Sequence, residues 1–222
     1  MKIQLSNTDG KMSQRLLRLI SESSDEFVKA GGDVLIDFGH PSALTETLAA
    51  KMPTVIGTTG LSSVQMDEIR AASAEQPILY SANFSLGVAV LNHLVARANQ
   101  LLAGWDVELI ETHHNRKLDV PSGTANLLLD SLKTNKTLTI GRHENGARDP
   151  REIGVHSVRG GNIAGIHEVE FLGADETVTL KHEAYSADIF AHGALTAAKW
   201  LVTRPAGLYD MNAVLFGTSN EN

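Results

Sequence analysis

The sequence predicts an α/β protein of two units: a shortened parallel sheet with helices between its strands, then an α+β unit on a mostly antiparallel or mixed sheet. Three observations lead there. Up to Phe84, short apolar runs alternate with segments of helical spacing, the pattern of βαβ units. From Ile153 onward, three strand-like runs follow one another with no long helix between them. In the last of these, Val178, Leu180, His182 and Ala184 take one side and Thr177, Thr179, Lys181 and Glu183 the other. That period of two marks a half-buried strand.

Lys2–Leu5 reads as a first strand, residues 6–10 as a turn rich in Asn, Asp and Gly, and residues 12–20 as a helix with apolar positions at Met12, Leu16, Leu17, Leu19 and Ile20. A helical turn is expected at 25–30. Residues 33–38 form a compact apolar run, a buried parallel strand. Residues 42–51 are expected as a helix with Ser42 as its N-cap. A strand at 53–56, a helix at 62–74 and a strand at Pro77–Tyr80 complete the alternation. Beyond Phe84 the expected elements are a long helix at 86–102, a strand at 106–111 and a helix at 122–132. Strands at 153–158, 166–172 and Thr177–Ala184 follow, joined by glycine turns at 160–162 and 173–175, before a closing helix at 187–202. The units are expected to comprise residues 1–85 with 200–222, and residues 86–199.

The formal net charge of -7 over 222 residues argues against a nucleic-acid surface, which needs clustered Lys and Arg. It leaves room for a small anionic ligand, where local charge decides. There is no cysteine, which excludes disulfides, thiolate catalysis and Cys-based zinc sites. The first residues lack the apolar core of a signal peptide, and no apolar run approaches the length of a membrane span. No membrane association is expected, and the cytoplasm is the expected compartment.

Chemistry concentrates between residues 111 and 124. A strand delivers Glu111, His113, His114 and Lys117, and the loop closes through Asp119 and Pro121 onto Ser122, Gly123 and Thr124 at the start of a helix. Backbone N–H groups at a helix N-terminus bind carboxylates, and glycine allows close approach. Lys117 adds a point positive charge. A histidine beside such a pocket exchanges a proton near neutral pH. These parts suit an anionic substrate that gains or loses a proton. Plainer readings stand beside this one. Two histidines in a polar loop are often surface residues. A metal held by His113 and His114 is disfavoured, because adjacent residues of a strand point to opposite faces, and no metal is expected. Ser122 lacks the Gly-x-Ser-x-Gly turn of a hydrolytic nucleophile and reads better as a helix cap.

The run Glu111-Thr-His-His-Asn-Arg-Lys-Leu-Asp-Val-Pro-Ser-Gly-Thr-Ala125 resembles the signature E-x-H-H-x-x-K-x-D-x-P-S-G-T-A of the dihydrodipicolinate reductases. Val55-Ile-Gly-Thr-Thr-Gly60 and Ser81-Ala-Asn-Phe-Ser-Leu-Gly87 resemble that family's cofactor-side loops. Val158-Arg-Gly-Gly161, Gly165-x-His167 and Gly207-Leu-Tyr-Asp-Met211 resemble its C-terminal half. The resemblance implies a Rossmann-like first domain, a substrate-binding second domain and a homotetramer. It also implies hydride addition from NADPH or NADH to a cyclic unsaturated imine dicarboxylate, on the path to diaminopimelate and lysine. In that reading His113 is the general acid/base and Lys117 the second catalytic group. His114, Gly123 and Thr124 bind substrate. Gly57, Thr58, Thr59, Ser81, Ala82, Asn83 and Phe84 sit at the nicotinamide, and Asn7, Gly10, Lys11 and Met12 form the loop on the phosphates.

Two departures qualify the cofactor half. The family's G-x-x-G-x-M-G loop is here Asn7-Thr-Asp-Gly10-Lys-Met12-Ser13, so the middle glycine alone remains. Asn7 tolerates left-handed angles, which would preserve the turn. Only about a dozen residues separate the first helix from Asp33, too few for a further strand–helix–strand excursion. A sheet shortened on the adenosine side follows, without the usual ribose-reading residue, and either cofactor affinity is reduced or adenosine is held by fewer contacts. A competing function is a degenerate homologue that binds a dicarboxylate or a protein partner without redox chemistry. The eroded loop favours it, and His113 together with Lys117 speaks against it.

Overall fold

The computed structural model describes residues 1–132, 136–143 and 145–217. It divides into two compact units, Met1–Leu86 with Asp188–Asn222, and Gly87–Ala187. Residues 218–222 of the expected first unit lie outside the described ones. In chain order the elements begin β1 (Lys2–Leu5), α1 (Lys11–Ser21), β2 (Glu26–Phe27), β3 (Val34–Asp37), α2 (Leu44–Ala49), β4 (Thr54–Ile56), α3 (Ser63–Ser73) and β5 (Pro77–Tyr80). They continue with α4 (Leu86–Leu101), β6 (Asp106–His113), α5 (Gly123–Leu132), β7 (Thr137–Ile140), β8 (Glu152–Arg159), β9 (Gly165–Leu172) and β10 (Thr177–Ala184). Last come α6 (Asp188–Leu201), β11 (Gly207–Tyr209) and α7 (Met211–Phe216). No helix among the described residues is long and apolar enough to cross a membrane.

The first unit holds a six-stranded sheet in the order β11-β5-β4-β3-β1-β2, every pairing parallel. Its central strands are mainly apolar because both faces are covered; all four residues of β3 are buried, Asp37 at its end among them. The expected helical turn at 25–30 is the short edge strand β2 instead. Glu26 N–H bonds Met1 O and Val28 N–H bonds Ile3 O, at 2.9 Å each. The free edge of β1 thus satisfies backbone groups that so short a helix could not, since helix nucleation is costly. A second strand therefore does fit, but no helix follows it. The chain turns at Gly31 (φ 70°) and crosses to the far side of β1 as β3.

Ser42 is not the cap expected of it. The cap lies two residues earlier, where the His40 side chain accepts the Ser42 N–H ahead of a 3-10 turn at Pro41–Ala43. Ser62 caps α3 in a reciprocal capping box with Gln65. Helix α6 packs beside α1 and on β3, β4 and β5, so the expected boundary at 199/200 lies at 187/188. Gly193 permits this approach, because a Cβ there would overlap the Phe84 carbonyl oxygen. Asp188, at the start of α6, pairs with Arg15 and, at 2.8 Å, with Arg18 of α1.

The sheet of the second unit runs β10-β9-β6-β8-β7. Its β10/β9 and β9/β6 pairings are antiparallel, and β6/β8 and β8/β7 are parallel. It is therefore mixed in equal parts, and not mostly antiparallel. The glycine turn at 160–162 is no hairpin, since β6 lies between β8 and β9. Helices α4 and α5 cover one face, with Leu91, Val95, Leu128 and Leu132 against Val107, Leu109, Val155, Val169 and Phe171. Each such side chain contributes about 1.5–3 kcal/mol on burial.

Candidate active site

Along β6 the buried positions are Val107, Leu109, Glu111 and His113. The period of two that builds the core stripe carries it, at the end of the strand, into two ionisable residues. Register supplies their neighbours. Glu111 lies opposite Ser157 on β8 and opposite His167 on β9, and His113 lies opposite Arg159. Glu111 is fully buried. It accepts the Ser157 hydroxyl at 2.6 Å, the Arg159 guanidinium at 2.9 Å and the Ser122 N–H at 3.2 Å. Burial alone would push its carboxyl up, but the bonds from Ser122, Ser157 and Arg159 outweigh this and hold it below its ordinary value. Glu111 is an ionised hub that ties the loop from 114 to 122 back to the sheet.

Nδ1 of His113 lies 3.4 Å from Glu111 Oε2. Burial pushes the His113 imidazole below its ordinary value; Lys117 and Arg159 add to this, and Glu111 and Asp119 oppose it. The ring is neutral at pH 7, and the carboxylate beside Nδ1 favours the tautomer with its proton there, leaving Nε2 for a ligand. Lys117 Nζ lies 2.8 Å from Asp119 Oδ1, and Lys117 first among its causes lowers the Asp119 carboxyl. Ser122 is the cap that the sequence suggests: its Oγ accepts the Ala125 N–H at 3.2 Å and its carbonyl the Asn126 N–H at 2.9 Å. Above Gly123 the space is open. His114 follows the end of β6, its backbone N–H on Ile163 O at 2.8 Å.

Glu111, His113 and His167 each present a potential ligand atom, all within 4.8 Å of one another. Spacing of two along β6 and a partner on β9 bring them together, a juxtaposition invisible to an argument about neighbouring histidines. Arg159 already neutralises Glu111, and Lys117 stands close, so the electrostatics suit an anion better than a divalent cation.

In the first unit, Met12, Gly57, Thr58, Thr59, Ala82, Asn83 and Phe84 line one cavity of about 320 Å³, completed by Phe38, Gly39 and Phe190. Aromatic rings and Met12 form its walls, with polar edges at Thr58 and Asn83. That donor set fits a planar, amide-bearing ring such as nicotinamide. Ser81 stays out of the lining and holds the turn, its hydroxyl on Asn83 O at 2.7 Å. Asn7, Gly10 and Lys11 also lie outside it, at the start of α1. Asn7 does not adopt left-handed angles. Its Oδ1 instead accepts the Gly10 N–H at 3.3 Å and the Ser13 hydroxyl at 3.0 Å. Gly10 is extended (φ -69°, ψ 150°), and no side chain caps α1.

His167, Arg159, Ser157, Phe38, Gly39 and Phe190 are the residues that the sequence did not single out for the site. Arg159 and His167 stand inside recognised motifs, but only strand register gives them a place. Phe190 sits on a helix with no local signal of function.

The chain matches the family profile described as dihydrodipicolinate reductase, N-terminus, over residues 11–84 and that for the C-terminus over residues 87–215. It is 43% identical to the 4-hydroxy-tetrahydrodipicolinate reductase of Brachyspira hyodysenteriae, with 88% of each chain covered. It is 43% identical to that of Staphylococcus aureus, with 90% of this chain and 95% of the other covered. In fold it is similar to the dipicolinate-bound dihydrodipicolinate reductase of Paenisporosarcina sp. TG-14, with a TM-score of 0.78 at 21% identity over 97% of this chain and 99% of that one. The chain belongs to the dihydrodipicolinate reductase family of oxidoreductases.

Proposed function

We propose that the chain reduces 4-hydroxy-tetrahydrodipicolinate to tetrahydrodipicolinate in lysine and diaminopimelate biosynthesis, with His113 and Lys117 as its catalytic side chains. The observation that carries this reading is His113, its Nδ1 3.4 Å from ionised Glu111, whose carboxylate also accepts the Ser122 N–H at the capped start of α5. Water leaves the hydroxylated ring, hydride adds to the resulting conjugated imine, and the adjoining carbon takes a proton. A reduced nicotinamide supplies the hydride. His113 Nε2 supplies the proton: the arriving dicarboxylate offsets the burial that keeps the ring neutral, so the ring takes up the proton that it then donates. Lys117 exchanges Asp119 for a substrate carboxylate. The first turn of α5, at Gly123 and Thr124, takes a carboxylate, and His114 contacts the ring.

Asn7, Gly10 and Lys11 take the phosphates in this reading, and Met12, Gly57, Thr58, Thr59 and the 81–84 loop take the nicotinamide. We assign NADPH as the preferred form, on Lys29. It follows β2 by two residues and lines a depression of about 250 Å³ with Ser6, Glu46 and Thr47. A basic residue after the second strand reads a 2′-phosphate, an acidic one the free ribose; Glu46 opposes Lys29, so the preference is modest. A cytoplasmic homotetramer completes the proposal. The half-buried face of the mixed sheet, with Glu108, Ile110 and Thr112, and the exposed Val158 support self-association.

Relatives named as reductases and the presence of both His113 and Lys117 favour this over a non-redox binder. The test is oxidation of NADPH and of NADH with substrate made in situ, followed by absorbance. Turnover is expected, and His113→Gln is expected to lower kcat by about 10²–10⁴-fold with dinucleotide affinity by calorimetry unchanged. Absence of oxidation with both cofactors would overturn the proposal.

A further inference from the structure

His167 has no part in the chemistry set out above, yet it is buried within the same cluster, 4% exposed. Its ring meets two groups that matter. Nε2 lies 3.1 Å from the Ser122 hydroxyl, and the ring stands edge-on to His113 with centroids 5.0 Å apart. Glu111 Oε2 is 3.9 Å from the same Nε2. A hydroxyl and an anionic oxygen on one side of the ring favour the tautomer with its proton on Nε2. The bond then runs from His167 N–H to Ser122 Oγ, the atom that also accepts the Ala125 N–H and so fixes the first turn of α5.

We propose that His167 is a positioning residue for the reduction: through Ser122 it sets the carboxylate-binding turn of α5, and through its ring it sets the orientation of His113. The inference rests on the function proposed above. One buried side chain on β9 thereby aligns the proton donor with the substrate anchor, two parts that belong to different elements. The arrangement needs a neutral ring. Burial, with His113 next among the causes, holds His167 down to about 4, so it stays uncharged across the working range. The charged or titratable groups facing it are His113, Glu111, His182 and Lys117.

A double-mutant cycle tests this. His167→Ala and Ser122→Ala are each expected to lower kcat/KM about tenfold, with KM for the dicarboxylate raised and dinucleotide affinity unchanged. Because the two residues share one hydrogen bond, removing both forfeits it only once, and the double variant should fall well short of about a hundredfold. His167→Gln keeps an N–H donor and should recover much of the loss, which a volume-filling role alone would not produce. Titration of His113 by NMR should move towards the ordinary histidine value in His167→Ala, as water reaches the ring. Multiplicative effects, or kcat/KM within twofold of wild type in His167→Ala, would overturn the inference. If the wild type fails to oxidise either cofactor, the proposed function fails instead. The positioning role is then still read from dipicolinate binding by calorimetry, weaker in both single variants and by less than their product in the double, and from the His113 titration; unaltered binding would sink it.

Discussion

The two units present their candidate ligand sites in different materials. In the parallel sheet the cavity is made of backbone, rings and small residues: Gly39, Gly57, Thr58, Phe38 and Phe84. In the mixed sheet the site is a knot of buried ionisable side chains in which Glu111 alone touches Ser122, Ser157 and Arg159. A cavity of the first kind depends on shape, so its failures come from volume. A cluster of the second kind depends on every partner being present, because a buried charge without its partner is costly. The chain also carries a reporter for each, since its two tryptophans are divided between the units. Trp105 packs on the core of the mixed sheet, and Trp200 stacks edge-on with Tyr209 beside the parallel one.

The largest effect is expected from Glu111→Gln, which leaves the half-buried Arg159 without its carboxylate. Breaking such a pair costs about 3–5 kcal/mol. In a Trp200→Phe background, the denaturant midpoint read from Trp105 should fall accordingly. The acid dependence gives an independent check. The Glu111 carboxyl is held below its ordinary value in the folded state. Its contribution is therefore complete above the ordinary carboxylate range and is lost as pH falls through the lowered folded value. The wild type should lose stability over that window, and the Gln variant should show a shallower slope. Equal slopes would mean that Glu111 is not the ionised hub.

The contrast also governs what could be read in advance. Alternation and turn chemistry located β1, β3, β4, β5 and most of β6, since each buries its own apolar run. Ser122 was legible as a cap because capping is local. By contrast, β2 owes its existence to the free edge of β1, and α6 joins the first unit through Gly193 and the Phe84 carbonyl. Those are tertiary causes with no local pattern. The same holds within the site. His113 stood out by its motif, but His167 and Arg159 became partners of β6 only through cross-strand register.

Gly57→Ala probes the other kind of site. A Cβ at this position would overlap the Phe38 ring, which must then shift and reshape the cavity wall. Overpacking of this sort costs about 1–3 kcal/mol. The transition read from Trp200 in a Trp105→Phe background should shift, and dinucleotide affinity should drop with it. Dipicolinate binding should be unchanged, because the second unit holds its site with side chains of its own. If binding of the dicarboxylate weakened equally, the division of labour between the units would be wrong.

The smallest expected effect lies at the edge of the parallel sheet. Lys29 is exposed, so its charge is screened and its pairing with a 2′-phosphate contributes about 1 kcal/mol at most. Lys29→Gln should therefore raise KM for NADPH several-fold, leave KM for NADH unchanged, and lose its effect as salt is added. Glu46→Gln, in the same depression, should shift the ratio the opposite way by removing repulsion from the phosphate. Two residues of strand would then suffice to place a specificity residue without the helix that usually follows. An unchanged NADPH to NADH ratio in both variants would show that the adenosine end is held elsewhere than at β2.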